Sequence, residues 1–142
     1  MRAMTAAVHF ETYSSARTHL KDLLDAAAAG RAATVRRDDE TAAVVDAERL
    51  RYALTQLRPS EAVVVAEAGG WSAFVPGLPI AGDGDTFDDA VSDLVMALRE
   101  YADDWNDHLL TAPNHRENWG LVQLVELSTD EQLREWVLGQ SR

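Results

Sequence analysis

Arg17 sits in the run Tyr13-Ser14-Ser15-Ala16-Arg17-Thr18, where the neighbouring pattern predicts the first turn of a helix. A guanidinium near a helix start, with Ser14, Ser15 and Thr18 as neutral donors, has the chemistry to hold phosphate oxygens and to read guanine edges. Arg31, Arg36 and Arg37 add cations suited to a phosphate backbone, but alternation along a strand sends Arg36 and Arg37 to opposite faces. The competing reading of these cations is an ordinary solvated surface. Carboxylates offer a second chemistry. Asp83 and Asp85 in a glycine loop, or Asp103, Asp104 and Asp107 with His108, are oxygen-rich sets of the kind that holds a divalent ion. Neither has the twelve-residue calcium-loop spacing, and turn chemistry explains the first set and a solvated helix face the second. His9, His19, His108 and His115 lack ligand spacing and no Ser-His-Asp triad is legible, so no enzyme, metal or cofactor is expected.

The elements that must position these residues fall into two segments. In the first, Ala6 to Phe10 reads as a strand. Ser14 or Ser15 would cap a helix whose stripe is Leu20, Leu23, Leu24 and Ala27, with Gly30 as its left-handed stop. Ala32 to Arg36 and Thr41 to Val45 read as strands joined by the turn Arg37-Asp38-Asp39-Glu40. Asp46 then caps a helix with Leu50, Ala53, Leu54 and Leu57 on one face. The order β-α-β-β-α in under sixty residues buries little core, so dimerisation or the second segment should stabilise it. Pro59 ends the helical pattern and places the boundary within Arg58-Pro59-Ser60-Glu61, giving domains 1–58 and 61–142.

The second segment opens with a hairpin, Ala62 to Ala66 and Trp71 to Val75, around Glu67-Ala68-Gly69-Gly70. Pro76-Gly77-Leu78-Pro79 breaks it, Ile80 and Ala81 allow a brief third strand, and Gly82 to Thr86 reads as a tight polar loop. Thr86 caps a long helix with the stripe Phe87, Ala90, Val91, Leu94, Leu98, Tyr101 and Trp105. Trp119 to Val125 reads as another strand. Ser128 to Glu131 reads as a capping box opening a final helix with Leu133, Trp136 and Val137 on one side. The expected fold class is α+β.

Charge follows the same division. The 142 residues carry a formal charge of −11, which taken as an average argues against nucleic acid. Residues 1 to 58 hold nine basic and eight acidic groups, net +1, whereas residues 59 to 142 hold four and sixteen, net −12. The exclusion therefore applies to the second segment alone. Zero cysteines exclude a disulfide framework and thiolate metal sites. No apolar run approaches the roughly 20 residues that span a bilayer, and the N-terminus lacks a cationic flank before an apolar stretch, so a soluble cytoplasmic protein is expected.

The run Tyr13 to Arg17, Leu20, Leu23-Leu24, Gly30 and Ala42-Ala43-Val44-Val45-Asp46-Ala47-Glu48-Arg49-Leu50 resembles the Phd/YefM antitoxin family over residues 6 to 57. The resemblance implies a symmetric dimer, or a higher even-numbered oligomer, that joins the sheets of two protomers and binds operator DNA to repress its own operon. Arg17 and Arg37 match the family's DNA-contacting positions. The turn departs from the family's pattern, Asp38-Asp39-Glu40 standing where a glycine is usual. Residues 61 to 105 resemble the HicB-like antitoxin domain, through Trp71-Ser72-Ala73-Phe74-Val75-Pro76-Gly77-Leu78-Pro79, Gly84-Asp85-Thr86 and Ala90. That resemblance implies a reduced RNase H-like core which masks a toxin ribonuclease. HicB proteins usually carry their DNA-binding element after this domain, whereas here a Phd-like segment precedes it.

Together these readings predict a type II antitoxin. Its DNA-binding residues would be Ser14, Ser15, Arg17, Arg36 and Arg37. Its toxin, expected to be a basic ribonuclease, would meet an acidic face of the long helix bearing Asp88, Asp93, Glu100, Asp103, Asp104 and Asp107, with Trp119 and Trp136 as aromatic anchors. Solubility is the competing use of that acidic face, and core packing that of the two tryptophans. The alternative function is a toxin-neutralising module that dimerises without binding DNA.

Overall fold

The computed structural model describes residues 7–139. Ala6 of the expected first strand, Arg2 among the N-terminal cations and residues 140–142 of the tail lie outside the described residues. The chain is an α+β protein, with two three-stranded sheets and six α-helices among its described residues. Packing divides it into two units, up to Leu50 and from Arg51.

In the first unit, β1 (Val8–Phe10) pairs in parallel with β2 (Ala33–Arg37), which pairs antiparallel with β3 (Glu40–Ala43). The parallel pair requires a crossover, supplied by α1 (Tyr13–Thr18) and α2 (Leu20–Ala28). Neither Ser14 nor Ser15 caps the helix: the Thr12 side chain accepts from the Ser15 N–H at 3.1 Å, so the cap stands two residues before Ser14 and three before Ser15. The expected single helix is also two, broken at His19 (φ −119°, ψ 31°). The break resets the helical phase, so Leu23, Ala26 and Ala27 are buried while Leu20 and Leu24 face solvent. Gly30 has the expected positive φ, +81°, and the Arg49 guanidinium donates to the carbonyls of Ala27 and Ala28 at 3.1 and 2.9 Å, satisfying the open end of α2. Leu23, Ala16, Ala26 and Ala33 form the core, with Val8, Phe10, Val35 and Val44 around it.

Helix α3 (Ala47–Leu57) starts as expected, with the Asp46 carboxylate accepting from the Arg49 N–H at 3.0 Å. Its buried side differs from the expected Leu50, Ala53, Leu54 and Leu57. Arg51, Leu54 and Thr55 are buried and Leu57 is 77% exposed, because the apolar count left out an arginine and a threonine that fold inward. The packing boundary falls inside α3, ahead of Pro59. Beyond it Leu54 and Arg58 lie against Gly120, where a Cβ would stand 3.8 Å from Leu54 Cδ2 and 3.3 Å from Arg58 Cδ.

The second unit is an antiparallel sheet of β4 (Val63–Glu67), β5 (Gly70–Val75) and β6 (Ile80–Gly84), with α4 (Phe87–Asp107) laid across one face. The Thr86 hydroxyl accepts from the Asp89 N–H at 3.0 Å and opens α4 as expected. Gly82 to Gly84 are strand, not loop. A Cβ at Gly82 would meet the Leu94 backbone nitrogen at 2.7 Å, and one at Gly84 would meet Asp89 Cβ at 2.5 Å. These glycines let the helix approach the strand, a purpose that local sequence does not distinguish from turning. Two one-turn 3-10 segments, Leu109–Thr111 and Arg116–Asn118, lead to α5 (Trp119–Leu127) and α6 (Asp130–Val137). The expected strand Trp119 to Val125 is therefore helix α5. Gly120, Leu121, Val122, Leu124 and Val125 are all buried, and a helix enclosed on most sides shows no period to tell it from a strand. The capping box of α6 is Thr129 with Gln132, one residue beyond the expected start at Ser128.

Candidate functional site

In the first unit the expected DNA-facing residues gather on two elements. Ser14 and Arg17 are exposed on α1 and Ser15 is half-buried; Arg17 lies in the last turn of this six-residue helix, not in its first as expected, because the helix is capped already at Thr12 and ends at His19. Arg37 ends β2, and its guanidinium carbon stands 5.9 Å from the centroid of the Tyr13 ring, within reach of a cation–π attraction. This contact joins the end of the β2–β3 hairpin to the helix carrying Ser14, Ser15 and Arg17. Tyr13 was visible in the sequence only as part of a motif; nothing local marks it as the seat for a cation 24 residues away in sequence. Asp38 and Asp39, both exposed, form the adjoining turn, with Asp38 in the left-handed region at φ 54°.

Arg36 points the other way, as alternation requires. Its Nε lies 3.9 Å from a carboxylate oxygen of Glu11, whose other oxygen is 2.8 Å from His9 Nε2; His9 Nδ1 is 2.7 Å from the Thr34 hydroxyl. The hydrogen bond from His9 first, and then the charges of His9 and Arg36, hold the Glu11 carboxyl below its ordinary range. Arg31 is exposed just beyond Gly30. Sheet alternation thus separates Arg36 from Arg37 and from the α1 group.

In the second unit, α4 buries Ala90, Val91, Leu94, Leu98 and Tyr101 and turns its carboxylates outward. Asp88 takes an ion pair from Arg134 at 2.6 Å, and the Asp93 carboxylate accepts from the Asp83 N–H at 3.0 Å, tying helix to sheet. Glu100, Asp103 and Asp104 are exposed, with Met96, 61% exposed, on the same outward side. Trp119 is 49% exposed at the start of α5. Trp136 is 4% exposed and its indole N–H donates to the Arg58 carbonyl at 2.8 Å, so it belongs to the core and leaves the set of surface anchors. Its place on the inner stripe of α6, beside Leu133 and Val137, is the physical reason. Among the described residues no group of three or more His, Asp or Glu side chains is arranged to hold a metal ion, and no helix is long and apolar enough to cross a membrane.

Residues 8–138 match the family model PHD-like, an antitoxin of the RelE/RelB toxin-antitoxin system. The match runs through both units. The fold is similar to the crystal structure of an antitoxin part of a proposed toxin/antitoxin system from Syntrophomonas wolfei subsp. wolfei. The TM-score is 0.77 at 18% identity, covering 89% of this chain and 94% of that one. No curated protein matches the chain significantly.

Proposed function

Because the chain belongs to the PHD-like family of toxin-antitoxin antitoxins, we propose that it neutralises its toxin through the second unit and represses its own operon by binding operator DNA through the first. An antitoxin is a regulatory protein, not an enzyme, and it has a toxin for a partner. In this reading the first unit is a Phd/YefM-like dimerising unit and the second a HicB-like one. Two protomers present two sets of Arg17 and Arg37, with Ser14 and Ser15 on the phosphates and Arg36 at the rim. The toxin, a basic ribonuclease, is drawn to the second unit by the charge of Asp93, Glu100 and Asp104, with Trp119 exposed on that unit as an aromatic group it can reach.

The observation that carries the DNA half is Arg37 held over the Tyr13 ring, which sets the hairpin's last cation beside the helix of Arg17. Base-reading and phosphate-holding groups act together only when they share one surface. The test is fluorescence anisotropy with the chain's own upstream DNA. Arg17→Ala with Arg37→Ala should weaken operator binding by about 100-fold or more and flatten its salt dependence, while toxin binding stays unchanged. Unaltered DNA affinity would reject the assignment. One observation favours the second reading, a neutralising module that dimerises without DNA: Asp38 and Asp39 form the turn beside Arg37 and repel phosphate. Wild-type protein that forms a toxin complex yet leaves its upstream DNA unbound would establish it.

A further inference from the structure

From Pro59 to Leu98 the chain carries seven carboxylates and no Lys, Arg or His. This stretch builds the β4–β6 sheet and more than half of α4. Helix α4 covers the sheet face formed by Ala73, Val75 and Ile80, all buried, and α5 and α6 pack on α4. The opposite face is set by alternation and register. Val63, Phe74 and Ala81 form one cross-strand row, and Val65, Ser72 and Asp83 the next. An antiparallel sheet with a solvated face carries polar side chains there, but here Val65 is 41% and Phe74 38% exposed. The carboxylates stand at one end of this apolar strip. Glu67 accepts a hydrogen bond from the Ser72 hydroxyl, and Asp83 lies across the sheet from it, tethered through its N–H to Asp93.

We infer that this open face of the β4–β6 sheet is where the toxin docks, through a surface with an apolar centre and Lys or Arg groups placed to meet Glu67 and Asp83. The inference rests on the reading of the second unit as toxin-neutralising, and names its contact surface. Charge decides between occupants. A second copy seated on the same face would bring Glu67 and Asp83 against their own kind, and nucleic acid would bring phosphates, both without a compensating cation in this stretch. A basic protein surface meets complementary charge around a strip that gains from losing water. The exposed acids of α4 then act at longer range and raise the encounter rate, whereas Phe74 and Val65 set how long the complex lasts.

The test uses the full chain and the product of the adjacent reading frame, co-expressed and purified. Hydroxyl-radical footprinting of the wild-type complex needs no substitution: oxidation of Phe74 should fall on binding while that of Met96, on the outward side of α4, stays as in the free chain. In kinetic measurements, Phe74→Lys should weaken binding at least 100-fold, chiefly through faster dissociation, with folding checked by circular dichroism. Glu100→Lys with Asp104→Lys should lower the association rate about tenfold and leave dissociation unchanged. Protection of Met96 with Phe74 still oxidised overturns this docking face and leaves the neutralising role standing. Failure of the two wild-type proteins to associate overturns both.

Discussion

Tyr13 and Glu11 hold the two cations at the end of β2 in opposite ways. Tyr13 presents a ring to Arg37, an attraction of about 0.5–1 kcal/mol at exposed sites that restricts the guanidinium without consuming its donors. Tyr13→Ala should therefore lower operator affinity about two- to fivefold with little change in Tm, and Tyr13→Phe should retain wild-type affinity in the same anisotropy titration. Glu11 instead presents a carboxylate to Arg36, and under the proposed function it would compete there with phosphate. Its carboxyl pKa is lowered in the folded chain, first by the His9 hydrogen bond and then by the charges of His9 and Arg36. A lowered folded value means that the contact is present at neutral pH and is lost as pH falls through the acid range. Glu11→Gln should release Arg36 and tighten DNA binding about two- to fivefold at pH 7. Lowering the pH should narrow the gap between variant and wild type. The opposite directions of Arg36 and Arg37 were legible from strand alternation alone. The contact of Arg37 with Tyr13 was not, since it closes only after α1, α2 and β2 have packed.

At the level of elements, short-range signals carried as far as short-range physics reaches. The Thr86 cap, the Asp46 cap, the Gly30 stop and most of the α4 stripe are each written within a few residues and appear where expected. The elements that differ depend on distant neighbours. Helix α5 loses its period because it is buried on most sides, α3 turns Arg51 and Thr55 inward, and β6 uses glycines to admit a helix backbone. Gly82→Ala should lower unfolding free energy by about 1–3 kcal/mol, seen as a lower urea midpoint with an unchanged slope, because the added carbon meets α4 backbone that cannot move alone. The β4–β5 turn offers the converse. Ala68 occupies φ 43° before Gly69 at φ 85°, a two-residue turn in which asparagine tolerates the left-handed region better than alanine does. Ala68→Asn should raise stability by about 0.5–1 kcal/mol. If the midpoint falls instead, the turn does not hold that geometry in solution.

Across the whole molecule, the division by packing keeps the charge contrast read from the sequence. Residues 1–50 hold seven basic and eight acidic groups, net −1, and residues 51–142 hold six and sixteen, net −10. Under the proposed function, a weakly charged first unit that binds operator DNA must approach phosphate against the field of the strongly acidic second unit. A basic toxin bound to the second unit cancels that field, which gives an electrostatic route by which the toxin acts as corepressor without touching DNA. Adding toxin to one equivalent should raise operator affinity about tenfold at low salt. The gain should shrink as ionic strength rises, because the Debye length contracts from about 30 Å at 0.01 M to about 8 Å at 0.15 M. Titrations of operator DNA with free and toxin-bound protein at three salt concentrations measure the effect. A gain that persists unchanged at high salt would mean that the toxin acts by bridging protomers into a multivalent assembly. Loss of the gain with rising salt, together with a smaller gain in Glu100→Lys and Asp104→Lys protein, would locate the coupling in the charge of the second unit.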